Sequence, residues 1–78
     1  MSINKELIRR AVTELVKRPV RDDQSLVTSG LIDSLRVLKL ILALEERLGV
    51  RIPTDQVQPE DFDSIDGMME TLTRLGVA

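Results

Sequence analysis

The chain has no cysteine, no histidine, no tryptophan and no tyrosine, and Phe62 is the one aromatic residue among its 78. Each absence excludes something. Without cysteine there are no disulfides and no thiolate metal sites. Without histidine the usual general base and the commonest metal ligand are missing. A single aromatic ring offers no platform for stacking bases, which argues against a nucleic-acid partner. No apolar run reaches the roughly 18 residues that a membrane-spanning helix needs, and no signal peptide is visible, so a cytoplasmic location is expected. Asp and Glu remain available for acid–base work. A chain of this length, however, buries only about 60% of its unfolded surface and leaves little room for a closed pocket. We therefore expect one domain over residues 1–78, likewise a monomer, that is not an enzyme and has neither catalytic residues nor a metal site.

Charge is present but uneven. Residues 1–18 are net +3 and residues 19–78 net −5, within an overall −2. The basic segment (Lys5, Arg9, Arg10, Lys17, Arg18) is short and reads as a solvated helix face.

The apolar pattern is helical throughout. Leu7, Ile8, Ala11, Val12 and Leu15 form a stripe over residues 4–17 that Pro19 should stop. Residues 19–33 make a long first loop that is unusually apolar, with Leu26, Val27, Leu31 and Ile32, so it should lie against the core. A second helix over 35–48 ends at Gly49. Pro59-Glu60-Asp61-Phe62 reads as one helical turn with proline at its first position. Ser64 or Asp63 caps a last helix whose stripe is Ile65, Met68, Met69, Leu72 and Leu75, with Gly76 as its stop. Met68 and Met69 fit as core filler. The expected fold is all-α: a bundle of three main helices plus one short helix, with no strand.

The second helix carries more apolar surface than one core requires. At about 100° per residue, Val37, Leu40, Ile41, Leu44 and Leu48 occupy one arc, which should face the core. Leu35, Leu38 and Leu42 fall on nearly the opposite side, among Lys39, Glu45 and Glu46. A second stripe rimmed with charge suggests a docking surface. The other possibility is that the long loop or another helix covers it. Asp33 and Glu45 lie roughly 120° apart around this helix and twelve residues apart along it, about 18 Å, and cannot converge on one substrate as an acid–base pair.

Asp33-Ser34-Leu35 stands at the start of that helix. Asp and Ser are both preferred N-caps, and an ordinary cap would account for them. If Asp33 is the cap, Ser34 is the first helical residue and its hydroxyl is free for modification. Helix N-termini favour anions, so a phosphodiester on Ser34 would be well placed.

Ser29-Gly30-Leu31-Ile32-Asp33-Ser34-Leu35, followed by Leu40-Ile41-Leu42-Ala43-Leu44-Glu45-Glu46, resembles the acyl carrier and peptidyl carrier proteins. The similarity continues through Val50-Arg51-Ile52-Pro53 and Pro59-Glu60-Asp61-Phe62-Asp63-Ser64-Ile65. The resemblance implies an acyl-carrier-protein-like bundle. It implies that Ser34, flanked by Asp33 and Leu35, accepts a 4′-phosphopantetheine arm derived from coenzyme A. A phosphopantetheinyl transferase would attach it, and the arm's thiol would hold an acyl or aminoacyl group as a thioester. Acyl- or amino-acid-activating enzymes and downstream transfer enzymes would be the partners, meeting Arg36, Leu38, Lys39, Leu42, Glu45 and Glu46. Fatty-acid members tend to carry an acidic residue directly after Asp-Ser-Leu; this chain has Arg36 there and Lys39 nearby. The Ser-Gly-Leu-Ile-Asp-Ser approach is more similar to stand-alone carriers of D-alanine, other amino acids or specialised acyl groups. The alternative from another class is a small helical interaction module without a prosthetic group.

Overall fold

The computed structural model describes residues 4–77, and residues 1–3 and 78 of the expected domain lie outside the described residues. Helix α1 spans Lys5–Val16, α2 Ser34–Leu48 and α3 Ile65–Arg74. Two 3₁₀ turns, Thr54–Gln56 and Pro59–Phe62, lie between α2 and α3. Among the described residues there is no strand. The all-α bundle is as expected, with one addition: the sequence offered one short helix, and Thr54–Gln56 makes a second short turn. That turn buries no side chain of its own, so no apolar periodicity marks it.

Each helix begins on a side-chain cap. Asn4 Oδ1 accepts from the Leu7 N–H at 3.0 Å, Asp33 Oδ1 from the Arg36 N–H at 2.8 Å, and Ser64 Oγ from the Gly67 N–H at 2.9 Å. Each satisfies a donor that the first helical turn leaves free. Of the two cap candidates for α3, the structure selects Ser64. At the other ends, Gly49 closes α2 with φ +67°, a conformation glycine adopts without strain. Lys17 does the same for α1 at φ +60° and carries a side chain into that region. Helix α1 thus ends at Lys17, and Pro19 follows two residues later as a barrier to resumption rather than as the stop itself.

The helices start at one end of the bundle. Lys5, in the first turn of α1, pairs with Asp66, in the first turn of α3, at 2.7 Å. Glu14 and Arg47, in the last turns of α1 and α2, are hydrogen-bonded to each other. The chain leaving α1 must therefore return along the length of that helix, about 18 Å for twelve residues. The long loop makes this return. By Asp22 it is back beside the first turns: both Asp22 carboxylate oxygens accept from the Arg9 guanidinium, at 3.0 Å each, and the Asp22 carbonyl accepts from the Asp66 N–H at 3.0 Å.

One core results. Ile8, Ala11 and Val12 of α1 meet Val37, Leu40, Ile41 and Leu44 of α2, and Ile65, Met68 and Leu72 of α3. Leu26 and Ile32 from the loop, with Ile52 and Phe62, complete it. The one aromatic ring is thus fully buried. Ile32 and Val37 stand just before the α2 cap and four residues beyond it, the positions of a hydrophobic staple, and both are buried. The α2 phase is as expected, except that Leu48 is only half-buried at the bundle's edge. In α3, Met69 and Leu75 flank the core rather than fill it.

Two expectations follow. Leu44 and Leu72 are completely buried, so truncating either to Ala should cost about 2–5 kcal/mol, a large part of the margin of so small a fold. Thermal melting monitored by far-UV circular dichroism checks this, and a Leu44→Ala variant melting within a degree or two of the parent would refute the packing. The second concerns acid. Backbone N–H groups of Thr28 and Val27 hold the Asp63 carboxyl below its ordinary range, and the Arg9 guanidinium does so for Asp22. Their stabilisation is therefore fully present above the unfolded aspartate value of about 3.9 and is lost as pH falls through the lower folded values. Melting temperature should drop below about pH 4, and Asp63→Asn should flatten that limb.

Candidate functional site: the serine that opens helix α2

Asp33 holds the capping position of α2 with extended backbone angles, φ −87° and ψ 176°, and its carboxylate completes the cap. Ser34 is the first residue of the helix and is exposed. Its hydroxyl is not needed for capping, which leaves it free for chemistry on a rigid base.

The electrostatics of this helix start differ from those of the other two. Helix α1 has Glu6 in its first turn and α3 has Asp66, whereas α2 has no acidic residue there and carries Arg36 instead. Free N–H groups and the helix dipole make such a terminus electropositive, and Arg36 adds to it. The Asp33 carboxylate already supplies negative charge at the cap, and an anion covalently held on Ser34 would lie close to Arg36 in the same turn. A phosphodiester fits this place.

A cleft of about 150 Å³ opens beside Ser34. Val37, Leu38 and Ile41 of α2 form one wall, and Thr54, Val57, Gln58 and Pro59 form the other. None of these residues is charged. The second wall was not singled out in the sequence. The one available signal was Val57, an isolated apolar residue between two glutamines.

The surplus stripe of α2 is exposed. Leu35 is 66%, Leu38 49% and Leu42 58% accessible, whereas Leu26 and Ile32 of the long loop are buried in the core. The loop therefore does not cover the stripe. Arg36, Lys39 and Glu46 are exposed around it. Glu45 differs from the other residues expected here. It is half-buried, and its Oε2 accepts from the Ile52 N–H at 2.7 Å, so the carboxylate helps to fasten the connection after α2.

Asp63 has a role that sequence reasoning missed. Its Oδ1 accepts from the N–H groups of Val27 and Thr28, both at 2.8 Å, and its carboxylate lies 3.2 Å from the Ser25 hydroxyl. Its carbonyl accepts from the Leu26 N–H at 2.6 Å. The signal was the tandem Asp63-Ser64: two cap-type residues precede α3, and a helix uses one.

Comparison with known proteins agrees with this geometry. The phosphopantetheine attachment site family matches residues 6–72, nearly the whole chain. The chain belongs to this family. Its prosthetic group is 4′-phosphopantetheine, and it acts as a carrier protein. It is 31% identical to the D-alanyl carrier protein of Streptococcus sanguinis strain SK36 over 77 residues, covering 96% of each chain. The D-alanyl carrier proteins of Streptococcus gordonii and Streptococcus mutans are 30% and 27% identical over the same share. The interaction module without a prosthetic group is not favoured. No described helix is long and apolar enough to cross a membrane.

The exposed stripe generates a test. Replacing Leu38 and Leu42 together by Ser should leave the melting temperature nearly unchanged, because neither is buried. If the stripe meets partner enzymes, the same variant should slow arm attachment or cargo loading by roughly tenfold, since losing a docking anchor often costs more than about 1 kcal/mol. Unfolding of the variant would show the stripe to be structural. Wild-type stability with wild-type loading would place docking elsewhere.

Proposed function

We propose that Ser34 is the residue that carries the phosphopantetheine arm, and that the cargo is an aminoacyl group, with D-alanine the first candidate. The observation that carries the assignment is the division of labour at the start of α2. Asp33 caps the helix with its carboxylate, while Ser34 stands exposed in a first turn whose one charged side chain is Arg36. When bound, the arm supplies a thiol on which cargo is held as a thioester. The protein's own part is to fix Ser34, to favour the phosphodiester through the helix terminus and Arg36, and to offer α2 to successive enzymes. The arm then keeps its cargo near whichever enzyme is docked, by effective concentration.

The near-full-length similarity to D-alanyl carrier proteins supports an aminoacyl cargo. So does the basic character of Arg36 and Lys39, which departs from the acidic surface of fatty-acid carriers. On this reading residues 1–78 act as one non-catalytic, monomeric carrier domain in the cytoplasm, where coenzyme A is available. Its partners are a phosphopantetheinyl transferase, an amino-acid-activating enzyme and a downstream transferase. Leu35, Leu38, Leu42, Arg36, Lys39 and Glu46 form the surface these enzymes share. Glu45 contributes chiefly by holding the chain after α2.

Intact mass after incubation with coenzyme A and a broad-specificity phosphopantetheinyl transferase tests the attachment. One pantetheine arm should be gained, Ser34→Ala should gain none, and its far-UV spectrum should stay helical. An arm on the Ser34→Ala protein would refute the assignment. The cargo is read from carrier isolated from its own cells in acid, which preserves thioesters. A hydroxylamine-labile alanyl increment is expected, and a long acyl increment would overturn the aminoacyl reading.

A further inference from the structure

Asp63 stands one residue before α3, yet α3 does not use its carboxylate, because Ser64 Oγ already caps that helix. Every side-chain hydrogen bond Asp63 accepts comes from the long loop, more than thirty residues earlier in the chain: Ser25 Oγ–H, Val27 N–H and Thr28 N–H. Its carbonyl takes a fourth donor, the Leu26 N–H. The segment so held is closed on itself. Ile32 N–H donates to the Leu26 carbonyl at 2.8 Å, and Gly30 N–H to the Val27 carbonyl at 3.0 Å. Leu26 and Ile32, the two ends of this small ring, are both fully buried. The next two residues after Ile32 are Asp33 and Ser34. The ring is thus the base from which the α2 cap and the candidate attachment serine project, and Asp63 is what fastens the ring to the bundle.

We propose that Asp63 is a positioning residue for arm attachment: through the Ser25–Ile32 ring it keeps Ser34 in the one orientation that a phosphopantetheinyl transferase accepts. This rests on the reading of Ser34 as the attachment site. Asp63 does not touch the reacting atoms. The ring has two states, latched and released, and the transferase binds productively only to the latched one. Release lowers the fraction of competent carrier, and the apparent affinity falls by that fraction. At saturating carrier the transferase draws the equilibrium wholly to the latched form. Losing the latch therefore raises KM for the carrier and leaves kcat in place, a pattern that general destabilisation of a protein still folded at the assay temperature does not give.

The side chain's chemistry provides a graded series. Both backbone donors converge on the same Asp63 oxygen, so Asp63→Asn can keep them on its amide oxygen while losing the negative charge that strengthens them. Asp63→Ala loses them all. Ile8→Val, a core change in α1 that leaves every Asp63 hydrogen bond in place, serves as the stability control, at a cost of about one methylene.

The experiment measures initial rates of arm transfer against carrier concentration, alongside hydrogen exchange of the Leu26, Val27 and Thr28 amides. For Asp63→Ala we expect KM to rise roughly tenfold with kcat within about twofold, which puts about nine-tenths of the carrier in the released state, so protection of those amides should be almost completely lost, as one two-state equilibrium requires. Asp63→Asn should lie between Ala and the parent on both measures, and Ile8→Val should match the parent's KM. Faster exchange at these amides with an unchanged KM would overturn the proposal, as would an equal KM rise in Ile8→Val. If Asp63→Ala does not fold, Asp63→Asn decides by the same comparison. The Ser34→Ala protein separates the two readings. An arm on it would refute the attachment site, whereas no arm on it and a parental KM for the Asp63 variants would refute only the latch.

Discussion

The shape of this protein follows from a constraint on its connections: the helices start at the same end, so the first loop must carry the chain back along α1. A returning loop has backbone N–H and C=O groups that no helix satisfies, and burying them unpaired is costly. Two aspartates tie the loop down, and one of them takes up its backbone donors. Asp22 fixes the loop to Arg9 and Lys5 of α1, and Asp63 gathers the donors of Ser25–Thr28. With its polar groups satisfied there, the loop can place Leu26 and Ile32 in the core. Among the described residues no buried side-chain nitrogen or oxygen lacks a partner. The start of α2 is thus built on a loop held by two aspartates and two apolar anchors rather than by secondary structure.

Helix α2 divides its surface accordingly. Val37, Leu40, Ile41 and Leu44 hold the bundle together, while Leu35, Leu38 and Leu42 face outward. Exposed leucines contribute nothing to the stability of the isolated chain and raise its tendency to associate, so their retention on one face needs another purpose. The same helix start carries Arg36 as the one charged side chain of its first turn, a cation that the helix dipole disfavours and that a phosphodiester on Ser34 would have beside it, while Asp33 keeps the cap. Both departures from the rules of a stable surface helix, one apolar and one electrostatic, fall within the first turns after Asp33.

Much of this was legible in the sequence. The helical stripes located the helices to within a residue or so, Asp33 and Gly49 delimited α2, and the two arcs of α2 separated core from surface correctly. The long loop's contribution to the core was visible in Leu26 and Ile32 because apolar residues in a loop have to be covered. What escaped was non-periodic. Thr54–Gln56 forms a turn with no apolar side to bury. Val57 and Pro59 wall a cleft only because that turn brings them opposite Leu38 and Ile41. Glu45 sat on the charged rim of a helical projection, yet its carboxylate bends back to the Ile52 N–H. Asp63 read as a possible cap because capping is the local use of an aspartate before a helix. Its actual partners lie 35 to 38 positions earlier, beyond the reach of any local pattern.

The cleft beside Ser34 bears on how the cargo travels. At about 150 Å³, walled by apolar and uncharged polar groups, it contains no carboxylate that could receive an ammonium group. An aminoacyl thioester carries that charge at its far end, and removing an unpaired cation from water is costly. An apolar acyl chain would meet no such obstacle and would gain by leaving water. With an aminoacyl cargo, therefore, the balance favours a thioester held out in solvent, open to the next enzyme without prior extraction. On the proposed reading, recognition would rest on what surrounds Ser34 rather than on what is hidden: the leucine stripe for contact area, and Arg36, Lys39 and Glu46 for the choice of partner and the rate of encounter. A tethered, unshielded cargo works only if the tether's root is fixed, because the effective concentration at a docked enzyme depends on where the arm begins. On the proposed reading of Ser34, the fastened loop beneath it would set where the arm begins.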